Sequence, residues 1–238
     1  MSGLVGVLGG MGPLASAYFM ERLTLLSDAK SDQEHIPVLL WSDPRIPDRA
    51  SAIEGKGDDC LPSMLQALNG LTLAGCDVIV MPCNTVHYFY DFLTTKLNVP
   101  ILHIVDSVIE QLKNLKISPG KVGLISTYTT RDFKIYDKRM NSLGWEIIYP
   151  SEYEIKELVM PAISSVKGND VISSYKPFLQ VANSLLSRGA KIIILGCTEI
   201  QIGLNAGPIT ENQLPLIDSV DCLARYSIAW YRNFQAIK

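Results

Sequence analysis

The sequence predicts an α/β fold of two similar lobes, each a mainly parallel sheet flanked by helices, with the lobes related by pseudo-symmetry. Two observations support this prediction. Short apolar runs rich in β-branched residues alternate with segments of helical length and apolar spacing, as in chains built from βαβ units. Three motifs of the first half also recur in the second half at nearly the same offset, which indicates a duplicated architecture.

Eight apolar runs are predicted to be strands. Their hydrophobicity is continuous rather than alternating, which is typical of parallel strands covered on both faces. In chain order they are Leu4–Leu8, Ile36–Trp41, Val78–Met81, Ile101–Val105, Val122–Ser126, Glu146–Tyr149, Ile192–Leu195 and Leu216–Ile217.

Helices are expected between these strands because the intervening segments have helix-like apolar spacing. The predicted helices are Leu14–Ser27, Leu61–Leu73, Ser107–Leu115, Pro177–Ser187 and a C-terminal helix over about Ser219–Phe234. The last of these is expected to return to the first lobe. The predicted lobes are therefore residues 1–105 with 215–238, and residues 106–214. Ligands of open parallel sheets bind beyond the carboxyl ends of the strands, so the active site is expected in the cleft between the lobes.

The repeat rests on three pairs of segments. Val5-Gly-Val-Leu8 resembles Val122-Gly-Leu-Ile125, and the nine residues ending in Cys83 resemble the nine ending in Cys197. A Pro followed a few residues later by Asp-Ser-Val recurs as well, in Pro100 to Val108 and in Pro215 to Val220. The second pair matters most because it aligns two cysteines.

Composition narrows the class of protein. The 238 residues are 47% hydrophobic and 19% charged, which is the balance of an ordinary globular protein. A net charge of −3 without a Lys/Arg stripe argues against nucleic-acid binding. No apolar run has the length of a membrane span, and the first residues lack the basic start of a signal peptide. A cytoplasmic location is expected.

Two of the five cysteines are singled out by the repeat. An odd count without a CxxC pair argues against a disulfide framework or a zinc site. Cys83 and Cys197 each end an apolar strand and have a threonine close behind. The N-terminus of the following helix is expected to favour the thiolate and to lower the pKa of each thiol toward neutrality. Two matched thiols in one cleft suit 1,1-proton transfer, in which one removes an α-proton and the other protonates the opposite face.

Other interpretations of the same residues stay open at this point. Gly10-Met-Gly-Pro-Leu-Ala15 approximates a dinucleotide-binding fingerprint with Asp43 as its acidic residue, although Pro13 is more typical of a helix start. Cys83 and His87 are spaced to share a metal ion on a helix, but no third ligand is evident. A cleft or packing role is the alternative for His87. A two-lobed binding protein would also fit the fold, but it has no need of matched thiols.

The motifs together resemble a known family. Gly9-Gly-Met-Gly-Pro13, Met81-Pro-Cys-Asn-Thr85 and Leu195-Gly-Cys-Thr-Glu199 are similar to those of the aspartate/glutamate racemases, closest to the aspartate racemases that work without pyridoxal phosphate. Glutamate racemases would carry an early Asp-Ser-Gly and a His where Glu199 stands. Hydantoin racemases would carry Gly-Cys-Ala-Gly-Met in the second motif. The resemblance implies a homodimeric, cofactor-independent racemase with Cys83 and Cys197 as its acid/base pair.

The resemblance also implies which residues hold the substrate. Those that would bind the α-carboxylate and amino group or line the cleft are Met11, Asn84, Thr85, Thr127 and Thr198. In aspartate racemases an Arg and a Lys recognise the side-chain carboxylate, and Arg49 and Lys167 match those positions here. Broad-specificity relatives depart at the Arg segment, so aspartate is the expected substrate, with glutamate as an alternative. A dicarboxylate isomerase or decarboxylase of the same fold is the alternative enzyme.

Overall fold

The computed structural model describes residues 3–207 and 214–236, which contain two four-stranded parallel sheets flanked by helices. The predicted α/β fold is confirmed, and each of the eight predicted runs overlaps a strand. The strands are β1 (Val5–Gly9), β2 (Val38–Ser42), β3 (Val78–Val80), β4 (Ile101–Leu102), β5 (Lys121–Ile125), β6 (Glu146–Ile148), β7 (Ile193–Leu195) and β8 (Leu216–Asp218).

The two sheets share one topology. The first has the order β2-β1-β3-β4 and the second the order β6-β5-β7-β8, and all pairings are parallel. The central strands β1, β3 and β7 are buried throughout, and β5 is buried from its second residue. Burial on both faces accounts for the continuous apolar runs in the sequence.

Twelve α-helices lie in the described residues. They are α1 (Pro13–Leu26), α2 (Arg49–Ile53), α3 (Leu61–Leu73), α4 (Tyr90–Thr94), α5 (Ile104–Asn114), α6 (Tyr128–Asp132), α7 (Asp137–Met140), α8 (Glu152–Glu154), α9 (Met160–Lys167), α10 (Val171–Ser187), α11 (Thr198–Asn205) and α12 (Ser219–Ala236). Short 3₁₀ segments span Asp32–Glu34, Thr85–Phe89 and Asn141–Leu143, and a π-helical turn spans Ile155–Val159. None of the helices of the described residues is both long and apolar enough to cross a bilayer.

The start of α1 is as the sequence predicts. Pro13 is its first residue and Gly12 is its N-cap. A proline is favourable at the first position of a helix because the N–H group that it lacks would have no partner there. The start of α10 differs from the prediction at Pro177. The helix begins at Val171, with the Asp170 carboxylate accepting a hydrogen bond from the Ser173 N–H, and Pro177 lies inside it. The missing N–H of Pro177 removes one internal hydrogen bond.

The predicted strand Ile101–Val105 is also wrong at its end. It stops at Leu102 because α5 begins at Ile104. The first N–H groups of a helix have no partner within it, and here two imidazoles supply partners. Nε2 of His87 accepts from the Ile104 N–H at 3.2 Å, and Nδ1 of His103 accepts from the Val105 N–H at 3.1 Å.

The chain forms two compact units, the first ending at Glu110 and resuming at Val220, and the second spanning Gln111–Ser219. These boundaries lie further along the chain than those predicted. The first boundary falls inside α5, and the second leaves all of α12 but its first residue in the first unit. Within that unit α12 is bonded to α1 by a two-pronged ion pair. Nε and Nη2 of Arg22 donate to the two carboxylate oxygens of Asp221 at 2.6 and 2.8 Å.

The turn after β1 depends on a glycine. Gly10 has a φ of +89°, and a Cβ at this position would overlap the backbone of Asp43. Its N–H donates to Oγ of Ser16 at 2.9 Å, and that hydroxyl donates to the carbonyl of Gly12. Only glycine combines this φ with so close a backbone approach.

We predict that Gly10→Ala destabilises the protein far more than Gly75→Ala. Gly75 has the same φ of +89°, but a Cβ there meets nothing within 4 Å. Gly75→Ala should cost about 1–2 kcal/mol, the penalty for an L-residue in the left-handed region. Gly10→Ala should cost more than about 3 kcal/mol because backbone must also move. Urea unfolding followed by circular dichroism measures both, and equal losses would show that the contact with Asp43 is unimportant.

Candidate active site

A cysteine lies just beyond the third strand of each unit. Cys83 follows β3 and Cys197 follows β7, and these strands hold the same place in the two sheets. Each cysteine is 8% exposed. Because the carboxyl ends of parallel strands meet at one edge, the loops after β1 and β3 are neighbours in the first unit, as are those after β5 and β7 in the second.

The backbone of Cys83 is fixed by a histidine. Its N–H donates to the Met81 carbonyl at 2.7 Å, and its carbonyl lies 2.9 Å from Nδ1 of His87. Nε2 of the same ring receives the Ile104 N–H. A backbone N–H only donates and a carbonyl only accepts, so Nδ1 carries the ring proton and Nε2 does not. His87 therefore links the loop of Cys83 to the start of α5.

This arrangement bears on the metal interpretation of the Cys83–His87 spacing. Both ring nitrogens of His87 are engaged by backbone groups, and its side chain is buried. No lone pair of the ring is left for a metal ion. The interpretation of these two residues as a metal pair is therefore wrong, and His87 serves to position the backbone.

Cys197 lies in a different environment. It is the N-cap residue of α11, and its Sγ–H donates to Oε2 of Glu199 at 3.0 Å. Burial raises the pKa of the Cys197 thiol well above its ordinary value, and the charge of Glu199 and this hydrogen bond raise it further. The prediction that this pKa falls toward neutrality is wrong. A backbone N–H at the start of α11 does lower it, but loss of water and a nearby carboxylate outweigh that effect. The raised pKa favours the protonated form of the Cys197 thiol.

Glu199 is the residue of this site whose contact the sequence analysis missed. It is only 4% exposed, and its Oε2 accepts hydrogen bonds from both Cys197 Sγ and Thr198 Oγ1, each at 3.0 Å. Its place in the first turn of α11 lets the helix N-terminus offset part of the cost of burying its charge. The available signal was an acidic residue two positions after a cysteine at a helix start.

Lys167 acts on the same thiol from another helix. It is the last residue of α9, which packs against α11, and its side chain is exposed. Its positive charge lowers the pKa of the Cys197 thiol, against the larger effects of burial and of Glu199. The second unit therefore brings two of the predicted residues, Lys167 and Cys197, into electrostatic contact.

Arg49 is a buried cation in the first unit. It begins α2, which packs against the 3₁₀ segment that follows Cys83, and it is 8% exposed. Nη1 donates to the carbonyl oxygens of Ile46 at 3.3 Å and Pro47 at 3.1 Å. In the described part of the chain, its buried Nε has no hydrogen-bond partner. A buried charged donor without an acceptor is costly, and a carboxylate is the anion that fits a guanidinium best.

The remaining predicted residues lie at the same sheet edges. Met11, Asn84 and Thr85 follow β1 and β3 and are buried. Thr127 follows β5 and caps α6, where its Oγ1 accepts from the Thr130 N–H and donates to Thr130 Oγ1. Thr198 is the first residue of α11. Each unit thus gathers its own share of the predicted site.

Comparison with known proteins gives concordant results. The family model described as Asp/Glu/Hydantoin racemase matches residues 8–226. The chain is 27% identical over 237 residues to the broad specificity amino-acid racemase RacX of Bacillus subtilis, covering 98% of this chain and 100% of the relative.

Comparison with solved structures also points to racemases. The Picrophilus torridus aspartate racemase shares 28% identity and a TM-score of 0.82, over 96% of this chain and 94% of that one. An aspartate racemase homologue from Pyrococcus horikoshii has the same fold, with a TM-score of 0.74 at 23% identity over 98% of this chain and 100% of its own.

We predict that His87→Ala lowers the free energy of unfolding by about 2–4 kcal/mol, since it leaves the Cys83 carbonyl and the Ile104 N–H buried without their partner. His87→Gln should lose less, because an amide both donates and accepts. Thermal or urea unfolding of the two variants measures the difference. Equal losses would mean that the ring fills space and that its hydrogen bonds contribute nothing.

Proposed function

Because this chain belongs to the Asp/Glu/hydantoin racemase family, we propose that it interconverts L- and D-aspartate by cofactor-independent proton transfer, with Cys83 and Cys197 as the two bases. As a family member it is an isomerase of the racemase class whose substrate is a small amino acid. The proposal adds the identity of that amino acid and the residues that act on it.

The buried guanidinium of Arg49 is the observation that carries the aspartate assignment. In the described part of the chain its buried Nε donor has no partner, and its Nη1 donates to the carbonyl oxygens of Ile46 and Pro47. A substrate side-chain carboxylate would supply the missing acceptor and neutralise the charge. We assign Lys167 to the same carboxylate as a point charge. The similarity to the Picrophilus torridus aspartate racemase supports this assignment.

In the proposed reaction one cysteine starts as a thiolate and the other as a thiol. The thiolate takes the α-proton and becomes a thiol, leaving the electron pair on the α-carbon. The second thiol then gives its proton to the opposite face and becomes a thiolate. Charge and protons balance, and the two cysteines have exchanged roles. Proton exchange with water restores the starting form, and the two enantiomers start from opposite forms.

We assign the α-carboxylate and the ammonium group to polar residues beside the two cysteines. Asn84 and Thr85 would donate to the carboxylate, whose negative charge grows as the α-proton leaves. The hydroxyl proton of Thr198 is used by Glu199, so its oxygen lone pairs would accept from the ammonium group. Met11 and Thr127 would line the site beside the α-carbon.

A broad substrate range is the second candidate. The relative RacX, which matches this chain over nearly its whole length, is described as a broad specificity amino-acid racemase. Discrimination of glutamate from aspartate depends on one methylene, which is worth only about 1–3 kcal/mol in a binding pocket. A racemisation assay over acidic and neutral amino acids without added cofactor separates the two candidates.

We predict that Cys83→Ala and Cys197→Ala each lower kcat/KM for aspartate by about 10³-fold or more, since each removes one of the two proton-transfer groups. Chiral chromatography measures racemisation, and proton NMR in deuterium oxide measures exchange of the α-proton. Cys76→Ala is the matched control. Cys76 is also buried, at 3% exposure, and its loss should leave most of the activity.

Full activity in either active-site variant would contradict the two-base mechanism. Release of carbon dioxide, or double-bond isomerisation without α-exchange, would identify the alternative decarboxylase or isomerase. Tight aspartate binding with no turnover and no exchange would identify a binding protein.

We predict that Arg49→Gln lowers kcat/KM for aspartate by about 10²-fold, the loss expected for one charge-assisted pair worth about 2–3 kcal/mol. The rate with alanine, which has no side-chain carboxylate, should change less than about fivefold. Arg45→Gln is the control, because Arg45 is an exposed arginine paired with Asp43. Equal losses with aspartate and alanine would remove Arg49 from side-chain recognition.

The homodimer and the cytoplasmic location stay predictions from the sequence. Analytical ultracentrifugation of the full chain tests the first, and fractionation of cells that express it tests the second.

A further inference from the structure

The two cysteines of the proposed reaction have unequal neighbours. The hydrogen bonds of Cys83 described above use its backbone N–H and carbonyl. Cys197 instead directs its sulfur at a carboxylate, with Sγ 3.0 Å from Oε2 of Glu199. Glu199 is 4% exposed, so water does not screen this contact effectively. A two-base reaction needs one thiol and one thiolate, so a neighbour that fixes the proton content of one thiol affects the whole cycle.

The charged groups that act on Cys197 come from two helices. Glu199 of α11 and Lys167 of α9 have opposite effects on the thiol, and burial adds to the effect of Glu199. The other elements packed against α11 are the apolar strand β7 and the helix α10, which places Ser174 and Phe178 beside Gly203. Neither of these carries a charge. Glu199 is therefore the group that opposes Lys167 and, with burial, keeps the proton on the sulfur.

We propose that Glu199 is a positioning residue that orients the Cys197 S–H group and keeps it protonated, so that Cys197 enters the catalytic cycle as the proton donor and Cys83 as the base. This inference rests on the proposed function for its place in the reaction. The shared Oε2 acceptor also orders Thr198, whose hydroxyl donates to the same oxygen. One carboxylate oxygen thus fixes both side chains at the start of α11.

The proposal has a kinetic consequence. L- and D-aspartate are mirror images with an equilibrium constant of one, so kcat/KM must be equal in the two directions. An enantiomer that needs the scarce form, with Cys197 as thiolate, binds only the small fraction of enzyme in that form, and its apparent KM rises accordingly. Its kcat must rise by the same factor. Glu199 therefore sets how far the KM values of the two enantiomers differ.

The decisive experiment titrates the thiol without substrate. Iodoacetamide is reacted with the purified full-length protein over a range of pH, and peptide mass spectrometry follows alkylation of Cys197. In Glu199→Gln, which keeps the shape and an acceptor oxygen but loses the charge, the midpoint of alkylation should move down by about one to three pH units. Glu157→Gln removes an equal charge from an exposed site and should leave the midpoint unchanged.

An unchanged midpoint in Glu199→Gln, or an equal shift in Glu157→Gln, would overturn the proposal. Glu199→Asp provides a second test where the Gln variant does not fold, because it keeps the charge but moves it about one methylene from the sulfur. The alkylation midpoint of Glu199→Asp should move down, but by less than the shift expected when the charge is lost altogether. An upward shift, or no shift, would also overturn the proposal. Circular dichroism establishes that each variant is folded.

Kinetics add a readout that a purely structural role would not move. In Glu199→Gln the KM values of L- and D-aspartate should converge, with kcat changing in parallel, whereas a loss of packing would lower kcat for both enantiomers and leave their KM ratio unchanged. The two proposals fail separately. Absence of racemisation in the parent protein defeats the proposed function while the alkylation midpoint still decides the role of Glu199. Racemisation with an unchanged midpoint defeats only the role of Glu199.

Discussion

Both units depend on parallel sheets whose central strands are buried on both faces. Such strands consist of apolar residues, because an uncompensated polar side chain there would be too costly. Polar and reactive side chains are therefore displaced to the edges where strands end. Cys83 and Cys197 lie at this point of β3 and β7, and Thr127 lies just beyond β5. The same constraint that builds the core thus determines where chemistry can occur.

Two buried charges near these edges are compensated in different ways. Glu199 accepts two hydrogen bonds through one oxygen and lies at a helix N-terminus, so its charge is satisfied within the protein. Arg49 contacts backbone carbonyls but keeps a buried Nε without an acceptor in the described residues. The first arrangement orients a neighbouring thiol, and in the proposed function the second receives the side-chain carboxylate of the substrate. Burial makes both effects stronger than they would be at an exposed position.

The duplicated architecture has diverged where it would matter for catalysis. Strand order is the same in the two units, yet the loop of Cys83 is held by the ring of His87, whereas Cys197 bonds a carboxylate through its sulfur. The proposed two-base reaction calls for two thiols in similar places. It does not call for identical surroundings, since the neighbours set only how the proton is shared between them.

The sequence alone determined the α/β class, the eight strands and the repeat, because these follow from local periodicity and from repeated motifs. It also predicted which two of the five cysteines act. The ends of elements depended on tertiary contacts. The first N–H groups of α5 are accepted by the imidazoles of His87 and His103, which lie outside that helix. The helix α10 begins before Pro177 and continues through it. The raised pKa of Cys197 and the burial of Arg49 were likewise decided by the folded structure. Desolvation and the position of a nearby charge arise only when the chain packs, and no local pattern of residues specifies them.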